Sequence, residues 1–402
     1  MVSSISDVIP AEPNAGAKLR LAAAVEAARS EILDLSHKIH AHPEPAFEEA
    51  QAAGWTAEVL ERHGFRIERP AGRLPTAIRA VRRGSRGGDR PRIGLVGEYD
   101  ALPGLGHGCG HNTMAAAGVG AAIALAALAD ELSGEVVFLG TPAEERGSGK
   151  QVMIEDGLFG DLDAALLYHP CDRDHVEIHP LASEDAEVVF TGLQAHAAMA
   201  PWEGRNALDA IVMLFASVGL WRQQLRPDAR VHGIIREGGT AANIIPDRTS
   251  AWFILRTATQ ADFPAIRSRF EELCRAAALA TDTRVEVTFS AYTSTMRNNP
   301  LLAERFRANL AAYGRQDQGP DASSGSTDMA NVSWVCPAIQ PELAIAPPGT
   351  PKHSLLFRDA AATPAADETT LLAATLLAQT AYELFADPGL VERAWQAFRA
   401  GA

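Results

Sequence analysis

The amino-acid sequence predicts an α/β fold that is interrupted by a segment of α+β character. Short apolar runs typical of buried strands alternate with helical patterns up to about residue 170. Residue types that bind metals or move protons follow three of these strands closely, which is where an open α/β sheet places its site. Beyond Ser183 the strands instead alternate apolar and polar residues, as strands of a half-exposed sheet do.

The first part of the chain supplies the predicted α/β layers. Apolar residues recur at helical spacing over 17–40, and the proline-rich stretch that follows ends this helix. Gly64 is placed to be the C-cap of the next helix, 48–63. A helix rich in Ala and Gly, 115–128, follows the central strand. The other elements predicted in this part are strands at 65–67, 77–81, 93–96, 134–139 and 164–168 and a short helix at 151–156.

The segment 183–296 predicts a small α+β unit that can close on its own. Its predicted strands are 185–191, 231–236, 249–255 and 284–289, and its predicted helices are 206–225 and 263–279. Near Met296 the chain is expected to return to the first domain. The elements predicted there are helices at 301–313 and 368–385 and a strand at 338–345.

Composition excludes several classes of function. The 402 residues are 47% hydrophobic and 21% charged, which is ordinary for a globular protein. The formal net charge of -14 argues against a nucleic-acid or anionic-membrane partner. The four cysteines are far apart and form no CxxC pair, which favours a reducing cytoplasm over a disulfide scaffold. No secretory signal is visible in 1–18, and the apolar stretch 115–128 is too short to span a bilayer.

Candidate ligands follow three consecutive strands of the α/β part. Cys109 and His111 lie in the Gly-rich stretch 106–112 after the first, Glu144 and Glu145 follow the next, and His169 follows the third. Cys109 and His111 are expected to alternate on an extended turn, so that both side chains point the same way. A thiol and an imidazole so arranged predict metal ligation, provided that further ligands arrive from elsewhere in the chain.

These motifs, in this order, resemble the M20 metallopeptidases, and most closely their amidohydrolase branch, in which a cysteine replaces the bridging aspartate. Asn112, 147–149 and 326–328 are similar to the subgroup of aminobenzoyl-glutamate hydrolases and β-alanyl-dipeptide hydrolases, although most of the broader branch has Asp where Asn112 stands. The motifs that carry the resemblance are 106–111, 140–145, 169–170, 192–198, 238–246, 326–328 and 349–354.

The resemblance implies a di-zinc peptidase-type catalytic domain, formed by residues 1–182 and 297–402. It also implies an inserted α+β lid, residues 183–296, through which such chains usually form homodimers. The expected reaction is hydrolysis of the amide bond of an N-acyl amino acid, an aminobenzoyl-glutamate-like compound or a dipeptide.

The resemblance also assigns the metal site. Two divalent ions are expected, zinc by the softness of the ligands and manganese or cobalt as further possibilities. Two such ions clamp a water molecule and lower its pKa. The five expected ligands are Cys109, which bridges the ions as a thiolate, and His111, Glu145, His169 and His353.

Further roles follow from the same resemblance. Glu144 is the expected general base, and Asp100 is the acid expected to orient a ligand imidazole. His196, in the lid, is expected to donate a hydrogen bond to the developing oxyanion. Asn243 is expected to hold the carboxylate end of the substrate or the tetrahedral oxygen. Apart from the resemblance, the planar guanidinium of Arg256 makes it a candidate for carboxylate binding.

The residues alone leave other interpretations open. Cys109 is also the kind of small residue that packs in a core, and adjacent acids such as Glu144 and Glu145 commonly face solvent on a turn. Asn243 is equally suited to fixing a turn through its own side chain. At the level of function, one alternative is a catalytically silent binding or regulatory protein on the same fold. A second alternative makes Cys109 a nucleophile with His111 as its base.

Overall fold

In the computed structural model, which describes residues 14–320 and 325–401, the chain divides into two units. The first unit is Met1–His179 with Met296–Ala402, and the second is Pro180–Thr295. Most of the stretch considered for a secretory signal, 1–18, lies outside the described residues. Over the described ranges no helix combines the length and the apolar character that crossing a membrane requires.

The first unit contains the following elements in chain order: α1 (Ala15–Ala27), α2 (Arg29–Ala41), α3 (Ala50–Arg62), β1 (Arg66–Glu68), β2 (Ile78–Arg83), β3 (Arg92–Glu98), α4 (His111–Ala127), β4 (Glu135–Thr141), α5 (Gly149–Glu155), β5 (Ala164–Leu166) and β6 (His169–Cys171). After the second unit it continues with α8 (Pro300–Ala312), α9 (Met329–Val332), β13 (Ala338–Ile339), β14 (Glu342–Ala344), α10 (Leu355–Ala360), α11 (Pro364–Ala386) and α12 (Pro388–Ala400).

The main sheet of the first unit has the strand order β1-β2-β4-β3-β5-β13. Strands β4, β3, β5 and β13 are mutually parallel, whereas β2 and β1 continue the sheet in antiparallel pairing. Strands β6 and β14, which follow β5 and β13 along the chain, form a separate parallel pair. Because parallel strands end at one edge of a sheet, the loops that follow β3 and β4 open at the same side.

Small residues let α4 lie very close to β3. A Cβ atom on Gly118 would come within 2.9 Å of the Val96 carbonyl oxygen, and one on Gly97 would come within 3.2 Å of the Ala115 Cα. Only glycine permits this separation of backbones. The close packing carries the first residue of α4, His111, to the end of β3.

Three elements differ from the sequence-based expectation. The helix predicted over 17–40 is two helices that meet at Ala28, and the bend lets both α1 and α2 pack on α4. The strand predicted over 338–345 is divided between β13 and β14, at Pro341, which has no N–H to donate. His111 does not lie on an extended turn: Gly110 takes a left-handed conformation (φ 76°) and α4 begins at His111.

The second unit contains β7 (Ala182–Thr191), β8 (Ala195–His196), α6 (Ala207–Trp221), β9 (Arg230–Glu237), β10 (Ile244–Ile245), β11 (Arg248–Thr257), α7 (Phe263–Ala280) and β12 (Arg284–Phe289). Its antiparallel sheet has the order β12-β7-β11-β9, and α6 and α7 pack on the sheet around Phe190, Phe253 and Phe270. Strands β8 and β10 form a separate two-stranded ladder.

Candidate functional site

Three buried side chains, Cys109, His111 and His169, bring one sulfur and two imidazoles together in the first unit. Their ligand atoms lie within 4.8 Å of one another, and the Cys109 Sγ is 3.5 Å from the His169 Nε2. The His169 Nδ1 donates to the Pro170 carbonyl oxygen at 2.7 Å. With Nδ1 carrying the hydrogen, the lone pair of Nε2 is directed at the cluster, as metal ligation requires.

His111 is held in the same tautomer by Asp100. The His111 Nδ1 lies 3.0 Å from the Asp100 Oδ1 and 2.9 Å from the Asp100 carbonyl oxygen. Both partners are acceptors, so Nδ1 carries the hydrogen and Nε2 is available as a ligand. The other oxygen of the carboxylate, Oδ2, accepts the backbone N–H of Glu145 at 2.9 Å. Asp100 therefore fixes the ring of one candidate ligand, His111, and the backbone of another, Glu145.

A second group of three, Cys109, Glu145 and His353, shares the same thiol. Their ligand atoms also lie within 4.8 Å of one another, and the His353 Nε2 is 3.4 Å from the Glu145 Oε2. The loop that carries His353 is tied to the cysteine loop, because the His353 N–H donates to the Gly108 carbonyl oxygen at 2.9 Å. All five predicted metal ligands are thus brought together, with Cys109 common to both groups.

A third group, Glu98, His111 and Glu144, lies beside the first two. The Glu98 Oε2 is 3.3 Å from the His111 Nε2, and the Glu145 Oε1 is 3.9 Å from that nitrogen. Among the described residues these three buried atoms have no hydrogen-bond partner. Buried polar atoms without partners are costly, and a carboxylate oxygen that faces an imidazole lone pair is repelled by it. A cation between them would satisfy all three, so the residues fit a divalent metal.

The titration behaviour of the site has clear physical causes. Burial, together with the negative charge of Glu145, raises the pKa of the Cys109 thiol to about 12, so a bound cation is required to keep it as a thiolate. Burial opposes the charged form of His111, but Asp100 and Glu98 outweigh it and raise the pKa of that imidazole, so a bound cation must displace the proton from Nε2 before His111 can ligate. Burial and the neighbouring Lys352 and His111 lower the pKa of His169. The neutral form that ligates a metal is therefore favoured at His169.

Glu144 stands in a strongly negative environment. Burial, followed by the charges of Glu98, Glu145 and Asp328, raises the pKa of Glu144 well above its usual value. A raised pKa makes a carboxylate a better proton acceptor when it is ionised. The chemistry open to this arrangement is proton transfer next to a multivalent cation site.

A buried ion-pair network beside the site was missed by sequence reasoning. The Lys150 Nζ lies 2.6 Å from both the Glu98 Oε1 and the Asp328 Oδ1, and all three side chains are essentially inaccessible to solvent. The Asp328 Oδ2 also accepts the backbone N–H of Lys150 at 2.9 Å. The available signals were a charged residue ending an apolar strand, a lysine in the first turn of a short helix, and Asp328 in the motif 326–328.

Asn112, which stands where the broader branch of the resembled family has Asp, donates its side-chain hydrogen bonds to groups other than the candidate ligands. Its Nδ2 donates to the Ser36 Oγ at 2.9 Å and to the Ala361 carbonyl oxygen at 3.0 Å. Both contacts link α4 to neighbouring segments of the first unit. The amide therefore serves packing around the N-terminal end of α4.

His196, Asn243 and Arg256 belong to the second unit. His196 pairs with Ile244 across β8 and β10, and the Asn243 carbonyl oxygen accepts the N–H of Ala197 at 3.0 Å, so His196 and Asn243 are close neighbours. The His196 Nδ1 accepts from the N–H groups of Ala198 and Met199 at 3.2 and 3.3 Å. In the neutral ring, Nε2 then carries the hydrogen. Arg256 lies on β11, where burial lowers its pKa.

Residues 94–354 match the family model described as peptidase family M20/M25/M40. The Xaa-Arg dipeptidase of Mus musculus is 36% identical over 97% of this chain and 95% of that protein. One chain of the p-aminobenzoyl-glutamate hydrolase of Escherichia coli K12 is 32% identical over 93% of each sequence.

Solved structures share the fold. An aminobenzoyl-glutamate utilization protein from Klebsiella pneumoniae aligns with a TM-score of 0.73 at 19% identity, covering 90% of this chain and 98% of that one. A dinuclear metal binding peptidase from the M20 family, from Bacillus subtilis, aligns with a TM-score of 0.65 at 21% identity, covering 88% and 99%. These structural matches establish a mixed α/β architecture common to the chains.

Proposed function

The chain belongs to peptidase family M20/M25/M40 and hydrolyses amide bonds of acyl amino acids or dipeptides, and we propose that it does so with two divalent metal ions held by its first unit. The observation that carries the proposal is the pair of ligand groups that share Cys109. One group adds His111 and His169, and the other adds Glu145 and His353. In this proposal the first unit corresponds to the predicted catalytic domain, residues 1–182 and 297–402, and the second to the predicted lid, residues 183–296, although the unit boundaries in the structure fall slightly earlier in the chain.

The ligand types support zinc as the metal of choice, because thiolate and imidazole are soft and borderline ligands, while the carboxylate of Glu145 also admits manganese or cobalt. When bound, such ions supply Lewis-acid chemistry that lowers the pKa of a water molecule and polarises a carbonyl group. The chain's contribution is to hold Cys109 as a thiolate between the two groups. Asp100 keeps the lone pair of the His111 Nε2 directed at them.

Glu144 is the general base of this proposal. It stands next to the ligand Glu145 but belongs to neither of the two ligand groups that share Cys109. Its carboxylate takes the proton of the attacking water and returns it to the leaving amine, so that the amine departs neutral. The surrounding negative charges favour the proton-accepting step, because they raise the pKa of Glu144.

The second unit supplies substrate contacts in this proposal. His196 presents a ring whose Nε2 carries a hydrogen and is suited to stabilise an oxyanion. Asn243, its close neighbour, and Arg256 are proposed to hold the carboxylate end of the substrate. The names of the relatives support two substrate types, dipeptides that end in Arg and aminobenzoyl-glutamate.

We also propose a homodimer formed through the second unit. Strand β9 lies at the edge of its sheet and exposes Ile234 and Ile235, at 57% and 43%. Helix α6 exposes Leu220 at 73% on the same unit. Apolar side chains along an open edge favour pairing with a second copy. The molar mass in solution tests this, with Ile234→Lys expected to shift it toward one chain and an unchanged dimer contradicting the proposed surface.

A reducing compartment such as the cytoplasm suits the proposed site. All four cysteines are free thiols in the structure, and Cys109 must stay unoxidised to ligate.

The decisive experiment combines metal analysis with a substrate panel. The chain is loaded with zinc, manganese or cobalt and assayed on a Xaa-Arg dipeptide, aminobenzoyl-glutamate, β-alanyl-lysine and acetyl amino acids. Expected are two ions per chain and chelator-sensitive turnover that Glu144→Gln abolishes while it still binds both ions. Glu203→Gln, at an exposed glutamate of the second unit, is the matched control and should keep full turnover. Absence of bound metal under every loading condition, or full turnover by Glu144→Gln, would overturn the proposal.

A further inference from the structure

The turn that carries Glu144 and Glu145 begins at a residue in an unusual conformation. Ala143 has φ 60°, in the left-handed region that residues with a Cβ rarely adopt, and it is fully buried. Such a conformation persists only where the surroundings hold it. The direction in which Glu144 and Glu145 leave β4 depends on it, because the two follow Ala143 directly.

The buried carboxylate of Glu49 holds the start of this turn. The Glu49 Oε1 accepts the backbone N–H of Ala143 at 2.9 Å, and the same oxygen accepts the backbone N–H of Phe47 at 2.9 Å. The other oxygen, Oε2, accepts from the Thr76 Oγ1 at 2.9 Å. Glu49 is inaccessible to solvent. All these contacts lie within the first unit.

Both residues that share the Glu49 Oε1 have positive φ. Phe47, at φ 65°, is the second left-handed residue of the pair. Its ring lies against the Cα of Gly147, where a Cβ atom would collide with it. Nearby, the Ala101 N–H donates to the Glu44 carbonyl oxygen at 2.8 Å, directly after Asp100. The segment 44–49 therefore contacts the backbone next to Asp100 and both ends of the turn 143–147.

We propose that Glu49 is a positioning residue for the hydrolytic site: it holds Ala143 in the left-handed conformation and so places Glu144 as base and Glu145 as ligand. The inference rests on the proposed function for the roles of these two glutamates. The Glu49 carboxylate accepts from Phe47, Thr76 and Ala143, none of which is a proposed metal ligand. Without its carboxylate, the buried N–H of Ala143 loses its acceptor, and rotation of the turn toward the right-handed region becomes the relaxed state.

Glu49→Gln separates hydrogen bonding from charge. The amide oxygen can take the place of Oε1 and accept both N–H groups, while the amide nitrogen faces the Thr76 hydroxyl, which can rotate to accept. Glu49→Ala removes the acceptor, and Glu49→Asp, one methylene shorter, keeps the charge but cannot span Phe47 and Ala143 together. Glu48→Ala, at the exposed neighbouring glutamate, is the matched control.

Turnover of the metal-loaded full chain is measured on the best substrate of the panel. Glu49→Ala and Glu49→Asp are expected to lower kcat by about 100-fold with KM little changed, since misplacement of a catalytic group by about 1 Å costs this much. Glu49→Gln and Glu48→Ala should keep most of the wild-type kcat. Adding Ala143→Gly to Glu49→Ala should restore about tenfold, because glycine adopts positive φ without strain.

A second readout does not depend on turnover. Zinc affinity is measured by competition with a chromogenic chelator. It should fall about tenfold in Glu49→Ala and Glu49→Asp, which is the size of effect expected when a residue that positions a metal ligand is removed. It should stay unchanged in Glu49→Gln. The midpoint of thermal unfolding is recorded for each variant alongside its zinc affinity. If Glu49→Asp matches the wild-type chain in both kcat and zinc affinity, or Glu49→Gln loses as much as Glu49→Ala, the proposal is wrong. A chain without amidase turnover whose zinc affinity still follows this pattern would refute the function and keep the positioning role.

Discussion

Asp100 and His111 form the hydrogen bond on which the geometry of the metal site depends. The His111 Nδ1 lies 3.0 Å from the Asp100 Oδ1, and the same carboxylate accepts the backbone N–H of Glu145. Burial would raise the pKa of Asp100, but the charge and hydrogen bond of His111 hold it below its usual value. The ionised carboxylate thus accepts from the His111 Nδ1–H in either charge state of the ring and fixes one backbone position at once.

Asp100→Asn should therefore weaken metal binding without emptying the site. Replacing the carboxylate by an amide makes His111 a weaker ligand and loosens Glu145, so we expect about a 10- to 100-fold loss of zinc affinity. Competition with a chromogenic chelator measures the zinc affinity. Asp130→Asn, at an exposed aspartate of the same unit, should bind zinc as the wild-type chain does. Equal affinities for the two variants would show that Asp100 does not support the ligands.

Cys109 belongs to both ligand groups, whereas His353 and His169 each belong to one. Cys109→Ser should therefore lower the occupancy of both ions, while His353→Ala and His169→Ala should each keep about one ion per chain, as expected for a two-metal site with one shared ligand. Elemental analysis after dialysis counts the ions. Cys171→Ser, at a buried thiol outside both groups, is the control and should keep two. Two retained ions in Cys109→Ser would exclude a bridging thiolate.

The sequence pattern located the groups that come together but not the contacts that hold them. Ligand types after successive strands predicted that Cys109, His111, Glu145 and His169 would meet, because parallel strands end at one edge. The start of α4 at His111 was missed, since it depends on a left-handed Gly110 followed by close packing on β3. Buried charged residues at the starts of helices, such as Lys150 in the first turn of α5 and Glu49 just before α3, give no periodic signal. Their partners are distant in sequence, so only the folded chain shows them.

Lys150 should be essential for the stability of the first unit. Burial lowers its pKa, but Asp328 and then Glu98 outweigh burial and raise it above the ordinary lysine value, so the three side chains form a charged buried network. Lys150→Met leaves Glu98 and Asp328 without their cation. Removing one partner of a buried ion pair costs about 3–5 kcal/mol.

Denaturant unfolding of the metal-free chain measures this loss. Arg66→Met removes an exposed cation from the same unit and should change the free energy of unfolding by less than about 0.5 kcal/mol. Adding Asp328→Asn to Lys150→Met should recover part of the loss, since one uncompensated charge disappears. A Lys150→Met chain as stable as Arg66→Met would contradict the assignment of a charged network.

Glu49 should make the stability of the fold depend on pH. Burial raises its pKa from 4.5 to about 7, with the negative charge of Asp100 adding to the effect and the hydrogen bonds from Thr76 and Phe47 opposing it. An acid whose pKa is higher in the folded chain contributes stability that is fully present below the unfolded value and is lost as pH rises through the folded value. The contribution should therefore disappear between pH 4.5 and about 7, and a shift of this size corresponds to about 3 kcal/mol.

Glu49→Gln removes this titration while it keeps the acceptor for Ala143. The thermal midpoint of Glu49→Gln minus that of the wild-type chain should be larger at pH 8 than at pH 5. The reason is that the wild-type carboxylate is buried in its charged form only at the higher pH. Thermal melts of both chains at the two pH values measure the change, and Glu48→Gln, at an exposed position, should track the wild-type chain at each. A gap between Glu49→Gln and the wild-type chain that is the same at pH 5 and pH 8 would mean that Glu49 titrates at its ordinary pKa, and that the carboxylate holding Ala143 is ionised throughout this range.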